Sequence, residues 1–188
     1  MSMKVLKIIF FPITLLVYMF IWIGRKINKL FIGMFFKNVT ISKIDAVSGE
    51  EFENICKLIF KYVGYKVSMT PKSNDYGADL ILTKRYKFVV QAKLYYNHGV
   101  GNKAVQEVTS ALKYYKAQFA VVITNWHFTR QAKDMAEIQN VILIERQDIL
   151  YFLSDVNNGT KKSKVFDLIG NYKVHVEKYW FCNEFRKF

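Results

Sequence analysis

The chain has 188 residues, of which 52% are hydrophobic and 23% are charged, and its formal net charge is +13. This composition excludes a disordered chain, which has fewer apolar residues, and a protein confined wholly to the membrane, which has fewer charges. The length fits one ordinary domain and a short additional segment. The two cysteines, Cys56 and Cys182, are too few for a disulfide framework and lack metal-ligand spacing, as is typical of a reducing compartment.

An uncharged run of 17 residues, IIFFPITLLVYMFIWIG, occupies positions 8–24. At about 1.5 Å per residue, a helix of this length reaches roughly 25 Å, near the lower limit for crossing a bilayer. The alternative is a cleavable signal peptide, but Arg25 and Lys26 follow the run where a cleavage site would need small residues. We therefore expect residues 1–37 to form a transmembrane anchor with a basic juxtamembrane segment.

The basic residues around this run predict its orientation. Two precede it and five follow it: Lys4 and Lys7, then Arg25, Lys26, Lys29, Lys37 and Lys43. By the positive-inside rule, the C-terminal side faces the cytoplasm. The apolar stretch at residues 30–36 is too short for a second span. We expect a single-pass protein of a bacterial-type inner (cell) membrane, with its soluble domain in the cytoplasm.

The soluble part begins with a linker at residues 38–44 and continues into a domain at residues 45–155. Ser48 and Glu51 form a capping box that starts a helix, and Gly64 ends it. Apolar periodicity then predicts strands at 65–70, 78–83 and 87–94, a helix at 102–116, a strand at 119–124, a helix at 129–139, a strand at 141–145 and a helix from 147. The order αβββαβαβα predicts an α/β fold with a mixed central sheet and flanking helices. Residues 156–188 form an aromatic-rich C-terminal extension whose role the sequence does not indicate.

The second and third predicted strands carry a group of polar side chains. If Lys84-Arg85-Tyr86 is the connecting loop, antiparallel pairing places Asp79 opposite Gln91 and Lys93 opposite Gly77. Alternate residues then form an apolar face that belongs to the core: Ala78, Leu80, Leu82, Phe88, Val90, Ala92 and Leu94. Asp79, Gln91 and Lys93 would share the other face.

This trio matches the needs of phosphodiester hydrolysis. Carboxylate and amide oxygens hold Mg²⁺, while a neighbouring lysine orients or deprotonates a water and offsets charge on a phosphate. The alternative is a solvated surface Asp with a Lys nearby, a common arrangement on exposed sheets.

The motifs resemble those of the Mrr-type restriction endonuclease domain, a branch of the PD-(D/E)xK nuclease superfamily. Asp75-Tyr76-Gly77-Ala78-Asp79 is similar to its D-x-G-x-D motif, and Val89-Val90-Gln91-Ala92-Lys93 to its V-V-Q-x-K motif. The resemblance covers residues 45–150. It extends to the opening helix with Phe52-Glu53, the step Gly64-Tyr65-Lys66-Val67, the helix with Val105-Gln106-Glu107 and the late strand Val121-Val122-Ile123-Thr124-Asn125.

The resemblance implies roles for particular residues. Asp79 would be the metal-binding acid, Gln91 would stand where other branches have an acidic ligand, and Lys93 would be the catalytic lysine. Glu53 matches a family glutamate that can assist the metal site. The implied cofactor is Mg²⁺ or Mn²⁺. Asp75 is interpreted as a turn-capping residue, not a ligand.

Four further residues are candidates for DNA contact: Lys72, His98, Lys103 and Gln106. Solvent-exposed alternatives remain open for His98 and Gln106. Residues 38–150 have 15 basic and 11 acidic side chains, a net +4, which predicts modest and salt-dependent DNA affinity.

The sequence thus predicts a membrane-anchored, metal-dependent DNA endonuclease of restriction type. The alternative is a membrane tether that binds DNA or a partner with weak or no cleavage. A homodimer is compatible with either function, since one such site cuts one strand at a time. No base reader is recognisable, which leaves open whether the substrate is methylated, foreign or branched DNA, or RNA.

Overall fold

A computed structural model describes residues 3–71 and 76–168, with side chains from residue 15 onward apart from that of Asp167. The helices are α1 (Met3–Lys37), α2 (Ile41–Asp45), α3 (Gly49–Tyr62), α4 (Asn102–Tyr115), α5 (Arg130–Gln139) and α6 (Arg146–Asn158), followed by a short 3₁₀ helix (Lys164–Asp167). The strands are β1 (Lys66–Met69), β2 (Leu80–Thr83), β3 (Lys87–Lys93), β4 (Phe119–Thr124) and β5 (Val141–Ile144).

The five strands form one sheet in the order β1-β2-β3-β4-β5. The first three strands are antiparallel, and β3, β4 and β5 are parallel because helices cross over between them. Alternate strand residues point to two separate hydrophobic cores. One core packs against α1, α3 and α6, and the other against α4 and α5. The prediction of a mixed sheet with flanking helices is confirmed.

The starts of two helices illustrate how local sequence determines these elements. Ser48 and Glu51 form the predicted capping box of α3, in which the Ser48 backbone amide donates to the Glu51 carboxylate at 2.7 Å. Helix α6 begins at Arg146, one residue before the predicted start, because Glu145 and Asp148 form a second capping box. The Glu145 backbone amide donates to Asp148 at 3.0 Å.

The face of the sheet that carries Gln91 is covered, contrary to the prediction that it is presented freely. Helix α4 packs over it, and Gln91 is only 5% exposed. Ala78 belongs to the core under α4 and α5, whereas Leu80 belongs to the other core, so the predicted single apolar face is wrong at Ala78. The reason is that crossover helices cover both faces of a parallel sheet region.

Helix α1 divides into two parts. Ile32 and Phe36 are buried in the core, where the ring of Phe36 meets that of Phe152 edge-on at 5.1 Å. All described side chains of α1 before Ile32 are exposed. Among the helices within the described residues, none is long and apolar enough to cross a membrane. The expected transmembrane anchor over residues 8–24 is therefore not supported.

Segments on both sides of the predicted domain contribute to the core. The expected linker at residues 38–44 contains most of α2, whose Ile44 is fully buried. After α6, Val165 and Leu168 are also buried. The core is thus larger than the predicted domain of residues 45–155, and most of the predicted C-terminal extension lies outside the described residues.

A polar network joins α2 to the ends of β4 and α6. The Arg146 guanidinium donates two hydrogen bonds to the Asp45 carboxylate, at 2.8 and 2.9 Å. The buried Asn125 donates to Asp45 at 2.9 Å and accepts from the Tyr95 backbone amide at 2.8 Å. Burial acts to raise the pKa of Asp45, but the hydrogen bonds from Arg146 and Asn125 outweigh it and hold that pKa below its ordinary value.

This network predicts an acid-dependent loss of stability. Because the pKa of Asp45 is lowered in the folded state, its contribution is present above the ordinary carboxyl pKa of about 3.9 and is lost as the pH falls through the folded value. Asp45→Asn should lower the free energy of unfolding at pH 7 by about 1 to 2 kcal/mol. It should also flatten the dependence of stability on pH below about 4, which urea titrations of the full chain in mild detergent would measure. Asp134→Asn is the control, since Asp134 pairs with Arg130 only at the surface, at 4.0 Å. An acid dependence unchanged in Asp45→Asn would contradict this account.

Candidate active site

The β2–β3 hairpin has the predicted register. Leu80 pairs with Val90 and Leu82 with Phe88, which fixes Asp79 opposite Gln91 just before β2 begins. The Asp79 backbone amide donates to the Val90 carbonyl at 2.8 Å. The three-residue connection Lys84-Arg85-Tyr86 thus places the two polar side chains at the same end of the sheet.

Two donors of β3 hold one oxygen of the Asp79 carboxylate. The Gln91 side-chain amide and the Ala92 backbone amide each donate to Asp79 Oδ2 at 2.6 Å. Bonds to a charged oxygen are stronger than neutral ones, so Asp79 is fixed against the end of β3. Asp79 is half-buried, and these two hydrogen bonds give its short side chain a defined position.

Glu53 approaches the same place from α3. Burial raises the pKa of the neighbouring Cys56 thiol well above its ordinary value, and the charges of Asp79 and Glu53 raise it further. Asp79 and Glu53 therefore both lie near enough to Cys56 for their charges to act on its thiol. Cys56 itself is fully buried in the core that packs against α3, and its sulfur is not exposed for metal binding or redox chemistry.

Lys93 ends β3 and forms an ion pair that the sequence did not predict. Its ammonium lies 2.9 Å from the Glu107 carboxylate of α4, and both side chains are about 70% covered. Lys103, one turn earlier on α4, lies 3.9 Å from the same carboxylate and is 86% exposed. The site thus contains two lysines on opposite sides of one acid, with Lys103 reaching solvent.

A close approach between the turn before β2 and α4 brings Glu107 to Lys93. Gly77 adopts a positive φ of 87°, and a Cβ added there would lie 2.3 Å from the Glu107 carbonyl oxygen. Tyr76 also has a positive φ, 52°, and its ring stacks on Tyr114 of α4 with 3.7 Å between centroids. Only glycine at position 77 lets the two backbones come this close.

The remaining candidate site residues lie in different surroundings. Lys72 and Asp75 lie outside the described residues. His98 is exposed in the loop after β3, with its ring edge-on to Tyr95 at 4.8 Å. Gln106 is exposed on α4, whereas the adjacent Glu107 faces Lys93. Among the candidate DNA contacts that the structure describes, Lys103 is the one that an ion pair links to Glu107, the partner of Lys93.

The donor set fits a hard divalent cation. Asp79 and Glu53 offer carboxylate oxygens and Gln91 an amide oxygen, which are ligands that Mg²⁺ prefers. Within the described part of the chain, no group of three His, Cys, Asp or Glu side chains is clustered tightly enough to enclose a metal. Mg²⁺ commonly keeps several of its waters and needs only one or two carboxylates, so the residues present are compatible with it.

A known protein family matches more than half of the chain. The family Mrr_cat, described as restriction endonuclease, matches residues 44–153. The chain belongs to the Mrr_cat family. The match includes Asp79, Gln91, Lys93 and Glu107, together with all five strands. No curated protein matches the chain in sequence.

Three solved structures are similar to parts of the chain. The DNA modification-dependent restriction endonuclease AspBHI is 21% identical, with a TM-score of 0.49 over 75% of this chain and 38% of its own. MspJI restriction endonuclease, in complex with a 27-mer oligonucleotide, is 19% identical, with a TM-score of 0.40 over 71% and 31%. A protein of unknown function, AF1548, is 12% identical, with a TM-score of 0.45 over 50% and 56%. This chain therefore spans between about a third and a little over half of the length of these proteins.

The backbone contact at Gly77 yields a second prediction. Gly77→Ala should force the turn and α4 apart, because the added methyl meets backbone atoms that cannot rotate away. We expect a loss of about 2 to 4 kcal/mol in the free energy of unfolding, from overpacking and from a positive φ in a residue with a Cβ. Chemical denaturation would measure it. Gly49→Ala is the matched control, since a Cβ at Gly49 meets nothing within 4 Å, and it should change stability by less than about 0.5 kcal/mol. Equal stability of the two variants would refute the proposed contact.

Proposed function

We propose that the chain is a metal-dependent DNA endonuclease of restriction type. The observation that carries this proposal is the meeting of Asp79, Gln91 and Lys93 at one end of the β2–β3 hairpin, within a domain of the Mrr_cat family. Asp79 is fixed by Gln91 and Ala92, and Lys93 is fixed by Glu107. Fixed side chains of this kind can position a phosphate and a water without reorganisation during the reaction.

The lysine is the group that acts on the substrate. The Lys93 ammonium is neutralised by Glu107, 2.9 Å away. When a phosphodiester enters, Lys93 donates a hydrogen bond to a phosphate oxygen and positions the attacking water, while Glu107 keeps the side chain extended. Glu107 is thus a positioning residue. Exposed Lys103 extends the positive surface along which a second phosphate of the backbone can bind.

Asp79, Gln91 and Glu53 would hold the metal ion. When bound, Mg²⁺ or Mn²⁺ supplies a water of lowered pKa and neutralises charge on the phosphate. To offer its carbonyl oxygen, Gln91 must turn the amide whose nitrogen now donates to Asp79. This rotation about one terminal bond leaves β3 unchanged.

The alternative is a domain that binds DNA with little cleavage. The ion pair between Lys93 and Glu107 is the observation that favours it, because the acid offsets the positive charge that would otherwise act on a phosphate. Cleavage and binding assays on the same variants separate the two functions.

We predict that Lys93→Ala reduces cleavage by roughly 10²- to 10⁴-fold, the usual contribution of a positioned acid–base group. DNA affinity should change little, because one phosphate contact is a small part of a backbone footprint. Nicking of supercoiled plasmid with Mg²⁺ and a DNA-binding titration in Ca²⁺ would measure the two effects. Lys113→Ala is the control, since Lys113 is exposed farther along α4. Chelation by EDTA should abolish cleavage by the unmodified chain.

A parallel loss of binding and cleavage in Lys93→Ala would identify Lys93 as a binding residue. Metal-independent cleavage, or no cleavage at all with intact DNA binding, would favour the alternative function.

We also propose that α1 attaches the domain to the cytoplasmic face of the cell membrane. Every described α1 side chain from Leu15 to Phe31 is exposed, and residues 15–23 are all apolar. Such a surface is much larger than isolated exposed apolar residues on soluble domains. Lys26 lies over the Trp22 ring at 3.9 Å, an aromatic and a cation side by side as at membrane interfaces. A cytoplasmic location is where the proposed DNA substrate is found.

This attachment predicts that Leu16→Glu combined with Phe20→Glu abolishes binding of the full chain to phosphatidylcholine vesicles. Carboxylates on the apolar surface oppose its burial in lipid. Vesicle flotation would measure the bound fraction. Ile138→Glu is the control, because Ile138 is an isolated apolar side chain on α5 that is 79% exposed. Retention of the double variant on the vesicles would exclude α1 as the attachment.

A further inference from the structure

Lys29 of α1 and Lys84 of the β2–β3 connection lie beside the end of α3, and the charge of Lys161 after α6 also acts on Lys29. We call these three residues the lysine cluster. Lys29 lies 4.9 Å from the Tyr62 ring centroid, and Lys84 lies 5.5 Å from that of Tyr65. Burial lowers the pKa of Lys29, and the positive charges of Lys161 and Lys84 lower it further. Like charges are therefore held together by the fold, a cost that an anionic ligand would remove.

The surroundings of the lysine cluster add positive charge. Arg25 and Lys26 precede Lys29 on α1, Arg85 follows Lys84, and Lys162 follows Lys161. Asp155, an acid near the end of α6, is buried and accepts hydrogen bonds from the Thr160 hydroxyl and, at 2.5 Å, from the Ser163 backbone amide. The negative charge of Asp155 is thus stabilised by hydrogen bonds within the fold.

The cluster lies where the exposed part of α1 leaves the domain. Gly33 of α1 rests against Tyr62, the same ring that Lys29 covers, and the first buried α1 residue is Ile32. Before Arg25, the described apolar side chains of α1, at residues 15–23, are all exposed. The exposed apolar part of α1 and the lysine cluster are therefore adjacent at one end of the molecule.

The candidate active site is at the other end. Asp79 precedes β2 and Lys84 follows it, so the length of the strand, roughly 16 Å at about 3.3 Å per residue, separates them. Likewise, Glu53 lies near the start of α3, and Tyr62 lies at its end.

We infer that Lys29, Lys84 and Lys161 form a docking site for anionic lipid headgroups, which holds the domain on the membrane with its candidate active site turned away from the lipid. The inference rests on the proposed attachment through α1. Lipid is favoured over DNA because the cluster adjoins an exposed apolar helix, which DNA does not cover. A DNA backbone would also have to span the strand length to reach Lys93.

The test uses the full chain and two kinds of vesicle, phosphatidylcholine alone and phosphatidylcholine mixed with phosphatidylglycerol. The unmodified chain should bind the anionic vesicles more tightly. Lys84→Gln combined with Lys161→Gln should remove this gain, roughly 10- to 30-fold for two lysines near a charged surface, and leave binding to phosphatidylcholine unchanged. Lys29 is left intact because it packs on Tyr62.

Arg130→Gln combined with Lys133→Gln is the matched control. It removes the same net charge from α5, whose first residues follow β4 near the candidate active site, and it should keep the full gain. An equal loss in both variants would show a general charge effect and overturn the docking site. Equal binding of the unmodified chain to both vesicle types would overturn it too, yet leave the α1 attachment standing.

Failure to bind either vesicle would instead refute the α1 attachment and the docking site together. A loss of DNA affinity in the Lys84 and Lys161 variant, with the lipid gain retained, would reassign the cluster to DNA. Plasmid nicking by the same preparations tests the nuclease function separately.

Discussion

The antiparallel register of β2 and β3 is the constraint on which the candidate site depends. With Leu80 opposite Val90, Asp79 lies against the end of β3, where the Gln91 side chain and the Ala92 backbone amide both bind one carboxylate oxygen. A shift by one residue would exchange the residues that β3 presents to the two cores. It would bring Phe88 and Val90, both fully buried, out of the first core. The same apolar contacts that stabilise the sheet therefore fix the acid and the amide beside each other.

The second constraint is the approach of α4 to this hairpin. A parallel strand pair requires a crossover, and α4 provides it between β3 and β4. Gly77 allows the loop before β2 to touch the α4 backbone at Glu107. Two helical turns farther along α4, the ring of Tyr114 stacks on that of Tyr76 and holds this loop in place. Glu107 can then neutralise Lys93, which would otherwise bring a half-buried charge to the edge of the core without a partner.

The sequence predicts those parts that depend on local patterns. Alternation of apolar residues gave the strands, the Ser48 and Glu51 box gave the start of α3, and the three-residue connection gave the register that joins Asp79 to Gln91. Contacts between distant segments were beyond it. No local signal assigns Glu107 to Lys93 or Asp45 to Arg146, because these pairs depend on how α4 and α2 pack. The burial of Gln91 under α4 has the same origin.

Positive charges are arranged differently at the two ends of the molecule, which the net charge does not reveal. At the candidate active site, lysines are paired with acids: Lys93 and Lys103 share Glu107. At the opposite end, burial and the positive charges of Lys161 and Lys84 lower the pKa of Lys29, and Asp155 accepts hydrogen bonds within the fold. A net charge of +13 could serve DNA binding at any surface. Lysines paired with acids suit a site that must also accommodate a cation, whereas lysines gathered beside an exposed apolar helix suit an anionic interface. The strand length between the two ends keeps these electrostatic demands apart, because it exceeds the screening length of about 8 Å at physiological salt.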